Sequence, residues 1–233
     1  MAITFIWFDL GYTLLYQARE QPYREVLAEL GHEFPLERLE REYHLADKLF
    51  MREYPGVFGR DPDTFAPWFL GVLNHRLGIR TDLCRTWQML KRTSAHGHAG
   101  WLPFEGAAEA LADLRRRGYR LGVITNWDPS ARGLLAARGL DGFFEEVVVS
   151  CEVGCEKPDR RIFELAAGAA GVRPAECLYV GDNYYVDTVG ARAAGMASLV
   201  VNRFGRLGVE EITDAPVIAH VREIAPWLES RDR

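Results

Sequence analysis

An apolar run, Ile3 to Phe8, stops abruptly at an acid, Asp9, and the same device returns far along the chain, where Leu178-Tyr179-Val180 ends in Gly181-Asp182 with Asp187 five residues on. Runs without polar alternation belong to strands buried on both faces, and such strands occur in parallel sheets whose crossovers are helices. The rest of the second half repeats this pattern. Glu105 to Arg117 is expected to be a helix stopped by Gly118, Arg120 to Thr125 a strand, and Asp128-Pro129 the start of a helix ending at Gly139. Further strands are expected at Val147–Ser150, Cys177–Val180 and Ser198–Val201, with helices opening at Lys157-Pro158-Asp159 and running from about Asp187 to Gly195. The expected fold class is therefore α/β, a Rossmann-like parallel sheet covered by helices on both faces.

The first half breaks the pattern. After the first strand comes a polar, Pro-marked stretch from Tyr16 to Pro22, expected to be a hinge, and then roughly seventy residues of helical character without strands. Leu36, Leu39, Tyr43 and Phe50 share one helical face; Phe65, Phe69, Val72 and Leu73 share another that Asp61-Pro62 could open; Leu83, Trp87 and Leu90 mark a third. The stretch Thr93 to Gly100, with His96 and His98, reads as a linker. The expected division is a core domain of residues 1–16 and 95–233 and an inserted helical domain of residues 17–94.

A net charge of -5 argues against a nucleic-acid-binding face, since the densest basic cluster is Arg115-Arg116-Arg117 at a helix end, where cations suit the dipole. No stretch reaches the length of a membrane span, and the N-terminal run lacks the basic flank and cleavage site of a secretory signal, which implies a cytoplasmic protein. Cys84, Cys151, Cys155 and Cys177 lack the paired spacing of a zinc site and read as reduced thiols.

In parallel sheets ligands bind beyond the carboxyl ends of the strands. Asp9, Thr125, Asn126 and Asp182 all fall on that edge, and Lys157 opens a helix from which its ammonium can reach it. Each has a structural alternative: Thr125-Asn126 is a common strand ending, Lys157-Pro158-Asp159 a helix start, and Asp187 a first-turn acid favoured by the dipole. Asp9 is harder to explain so, because burying an unpaired charge is costly. Several carboxylates, one ammonium and one hydroxyl together suit an anionic substrate held against a hard cation.

The segments WFDLGYTLL, LGVITN, EKPDRRIF and VGDNYYVD, in that order, resemble the four motifs of the haloacid-dehalogenase (HAD) superfamily, in its branch with a helical cap inserted between the first and second motifs. The resemblance covers essentially the whole chain and is nearest to phosphatase-like members. It implies Asp9 as a nucleophile forming an aspartyl phosphate, Thr125 and Lys157 as holders of the transferring phosphoryl group, and Thr13 as support for the turn presenting Asp9. It also implies Mg²⁺ held by Asp9, Asp182, Asp187 and the backbone carbonyl of Gly11. Asn126 and Trp127 are expected at the substrate, with Tyr184 and Tyr185 near the mouth. The expected partner is a small molecule, a phosphate ester or acyl phosphate, bound by a monomer or small homo-oligomer.

One position departs from the pattern. The phosphatases of that family carry an Asp where this chain has Gly11, and that Asp serves as general acid and base, a role worth roughly 10² to 10⁴ in rate. Tyr12 and Asp128 are the nearest candidates to replace it. Two alternatives follow: a metal-independent haloacid dehalogenase, and a low-turnover protein that binds a phospho-ligand without fast catalysis. The dehalogenase relatives lack the acidic pair that this chain keeps at Asp182 and Asp187.

Overall fold

The computed structural model describes residues 2–93 and 100–231. The chain divides into two units, one of Met1–Tyr16 with Trp101–Arg233 and one of Gln17–Gly100. Apart from its ends, Thr93 and Gly100, the linker containing His96 and His98 lies outside the described residues.

The second unit is helical. Its α1 (Glu20–Glu29), α2 (Leu36–Glu53), α3 (Ala66–Leu77) and α4 (Leu83–Thr93) enclose a core of their own. Leu39, Tyr43, Ala46 and Phe50, three or four residues apart on α2, are buried among Tyr23, Val26 and Leu27 of α1 and Phe69, Leu70 and Leu73 of α3. Two polar side chains buried inside it pair with each other and with Thr81: the Tyr23 hydroxyl donates to Asn74 Oδ1 at 2.8 Å, and Asn74 Nδ2 donates to Thr81 Oγ1 at 2.8 Å. The aromatic residues of this segment are largely its own core, although Tyr54 and Trp68 remain 44% and 43% exposed. Two local expectations are corrected. The polar stretch read as a hinge already contains the first turn of α1, where Pro22 lacks only an N–H that would have no helical partner. Asp61-Pro62 opens a short 3₁₀ turn, Pro62–Thr64, with Asp61 Oδ1 accepting from Asp63 N at 3.0 Å; α3 begins only at Ala66.

Among the described residues the strands are β1 (Phe5–Phe8), β2 (Leu15–Gln17), β3 (Trp101–Pro103), β4 (Arg120–Thr125), β5 (Glu146–Val149), β6 (Cys177–Gly181), β7 (Ala197–Val201) and β8 (Val217–Ile218). β2 pairs with β3, and the other six form one parallel sheet in the order β5-β4-β1-β6-β7-β8. Neither β3 nor the two-residue β8 is signalled by an apolar run, because both are too short to show a period.

Burial on both faces follows from strand alternation. Ile6 and Phe8 of β1 pack with α5 (Ala107–Arg116), α6 (Ala131–Ala137) and the last helix, α10 (Ile224–Arg231); between α6 and α10 in the chain come α7 (Ser150–Val153), α8 (Arg160–Ala169) and α9 (Val189–Ala193). Phe5 and Trp7 point the other way, into a cluster with Ile162, Phe163, Ala166 and Ala191 of α8 and α9. Each of these large side chains contributes roughly 1.5–3 kcal/mol by leaving water. Gly122 is required in β4 because a Cβ there would lie 2.4 Å from the Trp7 ring. No helix among the described residues is long and apolar enough to cross a membrane.

Candidate active site

β1 sits between β4 and β6, where the strand order reverses, and such a point opens a crevice at the carboxyl ends. Phe8 is in register with Val123 and Val180, so Asp9 emerges one residue beyond them, and its N–H still donates to Val180 O at 2.9 Å. The sheet therefore fixes the backbone that carries the carboxylate. The chain then folds tightly back: Leu14 and Leu15 N–H donate to Leu10 O at 3.1 and 3.0 Å, and Tyr12 N–H to Leu15 O at 2.6 Å. Leu10 and Leu14 anchor this turn in the core, while Tyr12 takes a left-handed φ of 53°, a conformation costing a non-glycine residue about 1–2 kcal/mol.

Asp182 follows β6 directly, and Asp187 is delivered by a π-helical turn, Tyr184–Thr188, rather than by the helix start expected at this position. The π turn is closed by Asn183, whose carbonyl accepts from Asp187 N–H at 2.7 Å and whose N–H donates to Asp187 Oδ2 at 3.0 Å. The Asp187 carboxylate thereby presses on Gly181, where a Cβ would lie 2.3 Å from Oδ2. Glycine is needed there to admit the acid.

Lys157 completes the cluster. Its Nζ donates to Asp9 Oδ1 at 2.7 Å, Asp187 Oδ1 at 2.7 Å and the Tyr179 hydroxyl at 2.8 Å. The Tyr179 hydroxyl in turn donates to Ile124 O at 2.9 Å. Asn126, expected at the substrate, spends its amide on the Lys157 backbone: Nδ2 donates to Lys157 O at 2.9 Å and Oδ1 accepts from Lys157 N–H at 2.8 Å. Sequence reasoning passed over Tyr179. The available signal was a phenol in the middle of a fully buried strand, which has to find a polar partner.

Charge in this cluster is unbalanced. Burial pushes the Asp9 carboxyl up to about 7, with Asp187 and Asp182 adding to the rise and Lys157 opposing it. Burial also works against the Lys157 ammonium, but the Asp187 and Asp9 carboxylates together outweigh it and hold its pKa above the ordinary value. Burial, then the same two carboxylates, drives the Tyr179 phenol well upward, so it stays protonated. Asp9, Asp182 and Asp187 each offer an oxygen within 4.8 Å of the others. The cluster gathers three carboxyl groups against one ammonium, and an all-oxygen donor set of this kind fits a hard divalent cation.

The other expected residues are placed as follows. Thr125 ends β4 and is buried, as is Thr13, whose Oγ1 has no hydrogen-bond partner among the described residues. Trp127 is half-buried and pinned, its backbone N–H donating to Ser150 Oγ at 3.1 Å and its Nε1 to Ser130 Oγ at 3.3 Å. Its ring meets Trp101 edge to face at 4.9 Å, and Trp101 meets Tyr12 at 5.5 Å. A Cβ on Gly11 would stand 3.3 Å from the Trp127 ring and 3.4 Å from that of Trp101. Asp128 is exposed and accepts from Ser130 N–H at 2.8 Å. Tyr184 and Tyr185 direct their hydroxyls to Asp214 and Glu211, at 2.9 and 2.8 Å.

The haloacid dehalogenase-like hydrolase family model matches residues 8–195, a span running from the strand that carries Asp9 to the end of α9, and the chain belongs to that family of hydrolases. Haloacid dehalogenase-like hydrolase domain-containing protein 3 of Homo sapiens is 32% identical over 189 residues, 79% of this chain and 67% of that protein. A glyceraldehyde 3-phosphate phosphatase of Methanothermobacter thermautotrophicus is 42% identical over 106 residues, only 43% of this chain and 45% of the relative. Among solved structures, the magnesium-bound putative HAD-hydrolase YfnB of Bacillus subtilis shares the fold, with a TM-score of 0.67 at 20% identity over 98% and 99% of the two chains.

Proposed function

We propose that this hydrolase is a Mg²⁺-dependent phosphatase or phosphotransferase acting on a small phosphorylated metabolite through Asp9. The observation that carries it is the buried constellation itself: a carboxylate at a strand switch point, an ammonium 2.7 Å away, and two more carboxylates converging on the same spot. That arrangement suits a trianionic reaction centre flanked by positive charge and has no structural use that a hydrophobic cluster would not serve better. Phosphatases among the relatives point the same way.

In this mechanism Asp9 attacks phosphorus and the bond to the leaving oxygen breaks, leaving an aspartyl phosphate that water then hydrolyses. Lys157 and Thr125 would orient the phosphoryl oxygens, Thr13 would support the turn, and Asn126 would hold Lys157 in place through its backbone. Mg²⁺, held by Asp9, Asp182, Asp187 and the Gly11 carbonyl, would supply the positive charge that lets two anions meet. Phosphate release from a panel of small phosphates should require Mg²⁺, stop on chelation and resume on its return. Halide release from 2-haloacids that survives chelator, with no phosphate released from any compound, would instead establish carbon–halogen hydrolysis.

The contact between Gly181 and Asp187 gives this reading a local test. Gly181→Ala should displace the Asp187 carboxylate and weaken Mg²⁺ binding about 10- to 100-fold in calorimetry, with the circular dichroism spectrum unchanged. Wild-type affinity in that variant would remove Asp187 from the cation site.

A further inference from the structure

Cleaving a phosphate ester expels an oxygen that needs a proton if it would leave as an alkoxide and needs none if it leaves as a carboxylate or phenolate. The ammonium and phenol protons beside Asp9 are already committed. The three of Lys157 point at Asp9, Tyr179 and Asp187, the proton of Tyr179 points at Ile124 O, and Asp182 and Asp187 bring carboxylates. In the turn that follows, the side-chain position two residues from Asp9 is that of Gly11. That position is walled by carbon: ring atoms of Trp127 and Trp101 lie 3.3 and 3.4 Å from where a Cβ would stand, so the Trp127 ring would have to give by a few tenths of an ångström to admit one, and a longer side chain would press on both indoles. The Trp127 indole N–H is turned to Ser130 Oγ, and both rings are half-buried beside Tyr12.

We propose that Trp101 and Trp127 are specificity-determining residues, an apolar wall against Gly11 that restricts the enzyme to phosphates with a stable leaving anion, namely aryl and acyl phosphates. The proposal rests on the phosphoryl reading of Asp9 and deepens it. In the first step the Asp9 carboxylate forms a bond to phosphorus, and the electron pair of the broken phosphorus–oxygen bond leaves on the carboxylate or phenolate, with no proton transferred. In the second, water cleaves the aspartyl phosphate, returning the Asp9 carboxylate and inorganic phosphate, which keeps both protons of the attacking water.

The test is a leaving-group series with Mg²⁺: acetyl phosphate, p-nitrophenyl phosphate, phenyl phosphate and glycerol phosphate, read as kcat/KM. Wild type should fall steeply along it, with glycerol phosphate at least about 100-fold below p-nitrophenyl phosphate. The double variant Gly11→Asp/Trp127→Ala, which makes room for an acid, should raise glycerol phosphate turnover about 10-fold or more. Gly11→Asp alone, facing two indoles, should gain less. Equal rates for glycerol and aryl phosphates in wild type would overturn the inference while leaving the phosphoryl reading standing. Absence of turnover on every phosphate would overturn that reading and the inference with it. A double variant that binds Mg²⁺ and keeps the wild-type slope would overturn the role of the indole wall.

Discussion

Asp9→Asn should abolish turnover, by at least about 10³-fold, and at the same time stabilise the metal-free protein at neutral pH. The two effects share a cause. Burial lifts the Asp9 carboxyl from its ordinary value of 3.8 to about 7, so between those values the unfolded chain releases a proton that the folded chain keeps. Stability is therefore unaffected by this group well below pH 4, declines as pH rises, and carries the full penalty above about 7. Asparagine has no such penalty. Three units at about 1.4 kcal/mol each set a ceiling near 4 kcal/mol, and the weakened bond to Lys157 offsets part of it, leaving a gain of about 1–3 kcal/mol. Urea unfolding in chelator at pH 5 and pH 8 reads it directly: the advantage of Asp9→Asn should be larger at pH 8. A variant less stable than wild type at pH 8 would show that Lys157, not burial, dominates the environment of this carboxylate.

A gain of that kind would mean that the fold tolerates a charge it would be more stable without. Tyr12 adds to the same account, since a left-handed tyrosine is held in the turn immediately after Asp9. Strain and unbalanced charge concentrate in the same few residues, which is where a site, rather than a core, is expected to keep them.

Much of this was legible in the linear sequence because the sheet is parallel and buried. Both faces of β1, β4, β6 and β7 are apolar, so each strand reads as an uninterrupted run, and each run ends at the edge where Asp9, Thr125 and Asp182 stand. What pattern could not show was how these side chains divide the work. Asn126 looks from its neighbours like a substrate contact, yet its amide is bonded on both sides to the backbone of a residue 31 positions away. Tyr179 looks like one more core aromatic, and only the fold shows it beneath Lys157. The π turn that delivers Asp187 has no periodic signature, being a single turn of five residues. Gly11 illustrates the limit best. The sequence shows an acid missing, whereas only the packing shows that a side chain there would press on Trp101 and Trp127, which lie 90 and 116 residues further on.

Lys157→Met should damage the fold as well as the chemistry. The methionine chain fills nearly the same volume as the lysine stem, so little cavity is created and the loss isolates the charge. Without the ammonium, Asp9 and Asp187 lose their shared partner at 2.7 Å and face each other and Asp182 in a site where Lys157 is only 3% exposed. Removing one member of a buried ion cluster costs about 3–5 kcal/mol, since the charge left behind has no compensation. Turnover should fall at least about 10³-fold if, as proposed, this ammonium orients the phosphoryl oxygens. The same reasoning fixes the sign of the coupling: in Asp9→Asn/Lys157→Met one carboxylate is removed with the cation, so the double variant should be more stable than Lys157→Met alone. Urea midpoints for the two single variants and the double complete the cycle. A Lys157→Met midpoint equal to wild type in chelator would mean that the carboxylates take up protons at no cost, and that the ammonium serves the substrate rather than the fold.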